Sequence, residues 1–307
     1  MIGESSKARQ VQWSLYMMLI PAVIITAIYS YGPLIGLTIA FQKFEISKGL
    51  FGSKWIGLDN FKYIFLLPNF GRVLYNTIFI STMKMALGLV FPILVSVLLN
   101  EVKLVKIKRS IQTVIYLPHF ISWVIIAGLM IDILSPSHGI VNHVLKSFGI
   151  EPIFFLGDKG TFPYIIVLSD VWKGFGYSTI MYMAALTTID PNLYEAAEMD
   201  GAGRLRRIWN ITIPGITPVI VLNATLMLGQ VLNAGFDQIF NLYSPMVYET
   251  GDIIDTLVYR IGMQPGAGRM PRYDIATTIG LFKSGISFVL ISIAYWMASK
   301  FANYKIF

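Results

Sequence analysis

The sequence predicts an all-α integral membrane protein with six transmembrane helices. Three observations carry that expectation: a composition too apolar for water, six apolar stretches of spanning length, and no trace of strand alternation. Of the 307 residues, 55% are hydrophobic and 13% charged. A soluble domain carries about 25% charged residues, so this chain has too little charge to cover a surface in water. Aromatic residues reach 14%, which suits membrane interfaces and helix packing. Cysteine is absent, which excludes disulfides, thiolate metal sites and cysteine nucleophiles.

The stretches run over residues 15–41, 73–99, 111–134, 162–189, 211–234 and 275–301. A span needs about 20 helical residues, and each stretch has them. None alternates with the period of two that a transmembrane barrel strand requires. Before the first stretch, Lys7 and Arg9 precede an apolar run too long for a signal-peptide core, with no small-residue cleavage site. That span is expected to be retained. Pro21, Pro33, Pro92 and Pro118 lie in or beside spans, where neighbouring helices can satisfy the carbonyls they free. Without a fixed-period repeat or a low-complexity linker, residues 1–307 read as one transmembrane domain.

Net charge is +7, but the basic residues form no stripe of the kind that binds nucleic acid. They read as orientation signals. With the N-terminus inside, the inner segments carry Lys7, Arg9, Lys103, Lys106, Lys108, Arg109, Arg204, Arg206, Arg207 and Lys305. The outer loops carry Lys43, Lys48, Lys54, Lys62, Arg72, Lys146, Lys159, Arg260, Arg269 and Arg272. The two sides are equal in number, yet the inner segments are much shorter. Density therefore favours N-in and C-in.

Between the fourth and fifth spans lies a polar stretch, residues 190–212. Asp190-Pro191 is a helix start, an acceptor for free amides followed by a preorganised first turn. Asn192 to Met199 reads as a short helix that Gly201 and Gly203 interrupt. A second short helix from Arg204 to Asn210 leads to Pro214, which opens the fifth span. With Leu193, Tyr194, Ala197 and Met199 on one side, the element is too polar for lipid and too apolar to float free.

Glu195-Ala196-Ala197, then Gly201, then Ile211, Ile213 and Pro214 resemble the signature of binding-protein-dependent permeases. The one departure is Ile213, where that signature has Leu. Residues 20–65 and 172–218 are similar to permeases for complex carbohydrates of the maltose type. The resemblance implies the type I fold of importers driven by an ATP-binding cassette, in the cytoplasmic membrane of a bacterium. It implies that Glu195, Ala196, Ala197, Asp200 and Gly201 dock into a cleft on a cytoplasmic ATPase. It also implies a second permease subunit, two ATPase copies, and an extracellular binding protein that delivers an oligosaccharide to outer loops 42–72 and 235–274. No Gly-x-x-x-x-Gly-Lys-Ser/Thr occurs in the chain, so ATP and its magnesium belong to a separate chain. The polypeptide is expected to be non-catalytic and to carry no cofactor of its own.

Ionisable groups within a span mark a pathway or a buried pair. Asp170, Lys173, Gly174 and Tyr177 fall on one helical face of the fourth span. Asn223, Gln230, Asn233 and Asp237 fall in one sector of the fifth, taken as a continuous helix. Lys84 and Lys283 lie in the second and sixth spans. From these we expect a polar cavity in the outer half of the membrane. The maltose-type resemblance adds that the substrate face draws on spans flanking the Glu-Ala-Ala block, which points to Asp170, Lys173, Gly174, Tyr177, Gln230 and Asn233. Carboxylates and planar amides suit sugar hydroxyls, and Trp172, Tyr177 and Phe236 offer rings for apolar sugar faces. Lys84, Lys173 and Lys283 could counter an acidic sugar such as a uronate.

The bland readings are an Asp170–Lys173 pair, interhelical amides, snorkelling lysines and an interfacial Asp132. His119, His138 and His143 lack metal-ligand spacing within a span. Two rivals remain for function. One is an ion-coupled secondary transporter using Asp170, and the other an ATP-driven permease for a solute other than sugar. A membrane enzyme is disfavoured by the missing catalytic set.

Overall fold

In a computed structural model, the structure describes residues 3–264, 266 and 270–301. Arg269 and Lys305, read above as orientation signals, lie outside them. The regular elements among the described residues are helices, apart from a two-residue antiparallel hairpin, Gln42–Lys43 against Lys54–Trp55.

Among the described residues, four helical stretches are long and apolar enough to cross a membrane: Tyr16–Phe41, Phe70–Asn100, Arg204–Leu228 and Tyr273–Trp296. A bent pair, Val105–Phe120 and Trp123–Ile133, makes a fifth if taken as one span. The expected third span is thus not straight, because its halves meet at 102°. Pro118 opens the last turn before the bend, and Ser122 caps the next helix by accepting from the Ile125 amide at 3.4 Å. The expected fourth span is a 25-residue helix, Phe162–Leu186. It is long enough, but Asp170, Lys173 and their glycine and serine neighbours dilute its apolar character, and it is not among the four.

The chain divides into two compact units. The first comprises Met1–Leu67 and Val258–Phe282. Its initial helix, Gly3–Thr26, passes through a π-turn at Ala27–Tyr31 into a 3-10 stretch, Gly32–Phe41. The carbonyls freed at the end of that stretch are collected by side chains. Asn60 donates to Ala40 O at 3.0 Å and to Gln42 O at 2.9 Å, and Thr278 donates to Ala40 O at 3.2 Å. Phe41 stacks on Trp55 with centroids 5.6 Å apart.

The second unit comprises Pro68–Leu257 and Lys283–Phe307. Its spine is the Phe70–Asn100 helix packed along Phe162–Leu186. Ile80, Phe162, Ile166, Val167, Ile239 and Ile253 form its main core, and Tyr182, Ala185, Leu186 and Ile216 a second cluster. One end is riveted by polar groups, where Asn76 donates to Glu249 O and Asp252 O, both at 3.1 Å. Beside it Glu249 takes Lys159 at 2.5 Å and Arg72 at 3.2 Å.

The expected fifth span is interrupted. Its helix ends at Leu228, residues 229–235 leave helical geometry, and a separate helix runs Phe236–Leu242. Gly235 sits at φ +90°, a conformation open to glycine and strained for other residues. Asn223, Gln230, Asn233 and Asp237 therefore do not share one helical sector. Asn223 precedes the break, Gln230 and Asn233 lie within it and Asp237 follows it, so no single helical period relates them.

Candidate functional site

The break after the Ile213–Leu228 helix, in the expected fifth span, opens onto a cavity of about 450 Å³. It is bounded by the Phe70–Asn100 and Phe162–Leu186 helices and by the unwound segment. Of the residues singled out in the sequence, Asp170, Gly174, Gln230, Asn233 and Lys84 line it. Ser81, Ser178, Met85 and Met227 complete much of the wall.

Lys84 organises this site. Its Nζ donates to Ala234 O at 2.8 Å and to the Gln238 side-chain oxygen, and lies 3.3 Å from Asp170 Oδ1. Gln238 in turn donates to Ile166 O at 2.7 Å and Ser169 Oγ at 2.8 Å. A buried cation is tolerated because three acceptors replace its water. Ala234 O is one of the carbonyls that the broken helix leaves without an amide, and irregular backbone is admissible in a membrane protein only where protein or cavity satisfies it. Neither snorkelling nor an Asp170–Lys173 pair describes this geometry.

Gln230 and Asn233 are linked on the unwound segment, with Asn233 Nδ2 donating to Gln230 Oε1 at 3.3 Å. Gly174 faces open space, where a Cβ would meet nothing within 4 Å. Asn223 belongs elsewhere, donating to the Tyr182 hydroxyl at 2.8 Å as an interhelical link. Asp237 is exposed at the start of its short helix.

Lys173 and Tyr177 do not line the cavity. Lys173 donates to His119 O at 2.7 Å and lies 5.6 Å from the Trp123 ring centroid. Tyr177 stacks on His119 at 4.0 Å, nearly parallel. Both side chains serve the bend of the third span, and Lys173 caps a carbonyl at the end of a helix, where a cation is favoured. Trp172 and Phe236 are also absent from the cavity wall. Lys283 holds both oxygens of Asp255, at 2.6 and 2.7 Å. His138 lies within hydrogen-bond reach of Ser135 and Ser137, and Asp132 is exposed.

The residues that the sequence reading missed are Gln238, Ser169 and the break itself. Gly229 and Gly235 around Asn233 were the available signal, since glycine and asparagine commonly end helices.

The second site is the polar stretch 190–212. Asp190 caps the helix Pro191–Met199 by accepting from the Asn192 amide at 2.9 Å. The helix ends in a Schellman motif: Ala202 N donates to Ala197 O at 2.9 Å, and Gly201 N to Glu198 O at 3.0 Å. Gly201 takes φ +75° to make that closure. Arg204–Arg207 then runs through a π-turn, Ile208–Thr212, into the fifth span. Two bonds tie the short helix back to this connection: Tyr194 Oη to Thr212 Oγ1 at 3.0 Å, and Arg207 to Glu198 at 2.9 Å. Glu195, Ala196, Asp200 and Gly201 are exposed, with Ala197 half-buried. Met199 and Leu205 stand 88% and 74% exposed beside them. The element presents a fixed shape with apolar side chains outward, which is what a docking surface needs.

Residues 93–302 match the family model described as binding-protein-dependent transport system inner membrane component. The chain is 39% identical, over 95% of its length and 90% of the relative's, to the polygalacturonan/rhamnogalacturonan transport system permease protein YteP of Bacillus subtilis. It is also 39% identical to the protein LplB of the same organism, over 95% of this chain and 91% of that one. Among solved structures it superposes with TM-score 0.88 on a bacterial transporter of the ATP-binding cassette type involved in import of the acidic polysaccharide alginate. That likeness has 39% identity and covers 97% and 99% of the two chains.

Proposed function

The chain belongs to the binding-protein-dependent transport system inner membrane components, and we propose that it is one permease subunit of an ATP-driven importer of acidic oligosaccharides. The polypeptide spans the bacterial cytoplasmic membrane six times as one domain, with both termini in the cytoplasm. The bent third helix pair, the polar Phe162–Leu186 helix and the interrupted fifth stretch count as spans in this reading.

In this orientation the 190–212 element faces the cytoplasm and receives the stroke of a separate ATPase through Glu195, Ala196, Ala197, Asp200 and Gly201. A second, related permease subunit completes the pathway, and two ATPase copies bind the two docking elements. An extracellular binding protein delivers the solute. The acidic oligosaccharide class follows from the likeness to the permease named for polygalacturonan and to the alginate importer, the latter also solved with an alginate pentasaccharide-bound periplasmic protein. The cavity walled by Asp170, Gly174, Gln230 and Asn233 is where the solute pauses on its way in. Lys173 and Tyr177 act at its margin through the bend of the third span.

The single observation that carries the reading is the exposed helix Pro191–Met199, capped at both ends and tied back by Tyr194 and Glu198. A secondary transporter has no use for such an element. The test is to purify the chain with its partner permease, ATPases and binding protein, and to assay solute-stimulated ATP hydrolysis. Stimulation by an acidic oligosaccharide, lost in Gly201→Asp, is the expected result. Failure of the ATPase to associate, or hydrolysis indifferent to Gly201→Asp, would sink the reading.

A further inference from the structure

Among the described residues that line the cavity, Lys84 is the one cation, and its ammonium has no proton to spare. An ammonium has three donors, and Ala234 O, the Gln238 side-chain oxygen and Asp170 Oδ1 take them. The Lys84 side chain is 8% exposed. Of the other two lysines considered for acid recognition, Lys173 gives one proton to His119 O and does not line the cavity, and Lys283 is paired with both oxygens of Asp255.

What faces the cavity is instead Asp170, whose side chain is 37% exposed and whose contact with Lys84 runs through Oδ1. Around it stand the amides of Gln230 and Asn233 and the hydroxyls of Ser81 and Ser178. A sugar hydroxyl can donate to Asp170 and both donate to and accept from an amide. An incoming carboxylate meets the Asp170 carboxylate before it meets the cation. To reach Lys84 it would have to evict Asp170 and leave that carboxylate without its counter-charge.

We infer that the cavity reads hydroxyl groups rather than acid groups. Neighbouring hydroxyls of the oligosaccharide donate to Asp170 and exchange hydrogen bonds with Gln230 and Asn233. The carboxylates of an acidic oligosaccharide are not recognised by a cation of this wall. This deepens the oligosaccharide reading and stands on it.

The experiment compares tetragalacturonate with its carboxyl-reduced form, in which each acid has become a primary alcohol. Binding of both to the complete importer in lipid nanodiscs is measured by equilibrium dialysis. Asp170→Asn is expected to weaken the alcohol about tenfold, the loss of a charge-assisted hydrogen bond, and to weaken the acid less, because the same substitution removes the repulsion between carboxylates. Asn233→Ala, on the unwound segment and away from the ion pair, is expected to weaken both ligands equally. Should Lys84→Met weaken the acid while sparing the alcohol, Lys84 is the receptor and the inference is overturned. Equal insensitivity of both ligands to Asp170→Asn and Asn233→Ala overturns it too. Absence of binding by the wild type overturns this assignment alone. The importer reading fails only if hydrolysis stimulated through the binding protein is also missing.

Discussion

Lys84 Nζ lies 2.8 Å from the carbonyl oxygen of Ala234, joining a lysine of the Phe70–Asn100 helix to the break that follows Leu228. The same ammonium reaches Gln238 and Asp170, so one side chain satisfies a freed carbonyl, an amide oxygen and a carboxylate. Lys84→Met removes all three bonds and leaves Ala234 O and the Gln238 oxygen buried without a donor. Removing one partner of a buried pair costs about 3 kcal/mol, and the partly exposed Asp170 keeps the loss from going higher. Thermal unfolding of the detergent-solubilised protein is expected to show a clear fall in Tm. Unchanged Tm would mean that the break is held by something else.

Gly174 separates access to the cavity from its stability. A Cβ there meets open space, so Gly174→Leu projects into the void without displacing a neighbour. Its unfolding free energy is expected to stay within about 0.5 kcal/mol of the wild type, as for a substitution free of strain, read as a nearly unchanged Tm. Uptake is expected to fall at least tenfold, because the chain fills the space a solute would occupy. Normal uptake in this variant would place the pathway elsewhere.

The apolar stretches and the 190–212 element were legible because composition and local end signals encode them. Asp190-Pro191 and Gly201 stand beside the helix they bound, and the observed caps use those residues. The break at 229–235 was not legible because Val231 and Leu232 continue the apolar run, while its stabilising lysine is 150 residues away. The cavity wall was legible only in part, for a rotational reason. At about 100° per residue, Asp170 and Gly174 lie between two edges of their helix. The sequence argument took the edge with Lys173 and Tyr177, and the cavity takes the edge with Phe175 and Ser178. Spacing groups residues on a face, but neighbouring elements decide which edge is the wall.

Gly201 is a test of shape at the proposed docking element. At φ +75° a residue with a Cβ is strained by about 1 kcal/mol, and asparagine is the best tolerated replacement. Gly201→Asn is expected to retain most of the solute-stimulated hydrolysis, and Gly201→Val to lose most of it, with similar amounts of protein in the membrane. Equal activity in the two would show that the Schellman closure is not needed for coupling.

Tyr194 and Thr212 tie the exposed helix to the foot of the fifth span through one 3.0 Å bond. Tyr194→Phe deletes the hydroxyl and keeps the ring, at a stability loss of about 1 kcal/mol. The helix is then tied back by the Arg207–Glu198 pair alone and can move further without carrying the connection with it. Hydrolysis is expected to continue while solute moved per ATP falls, measured in vesicles loaded with the whole importer. A fall in both together would point to docking rather than transmission.

Glu249 predicts a pH dependence at the opposite end of the second unit. The hydrogen bond and charge of Lys159, followed by the charge of Arg72, hold its carboxyl below the usual carboxylate range. Unfolding releases it to an ordinary value of about 4.3. A group whose folded value is depressed contributes stability that is complete above the unfolded value and disappears as pH falls through the folded one. Between neutrality and about pH 5 the wild type therefore keeps its full margin over Glu249→Gln, and below that the two Tm curves converge. Because Glu249 is solvent-exposed, the margin is small and weakens with added salt. Curves that stay parallel down to the acid limit would show that the Arg72–Glu249–Lys159 triad does not contribute through charge, leaving the Asn76 bonds to Glu249 O and Asp252 O as the fastening at that end.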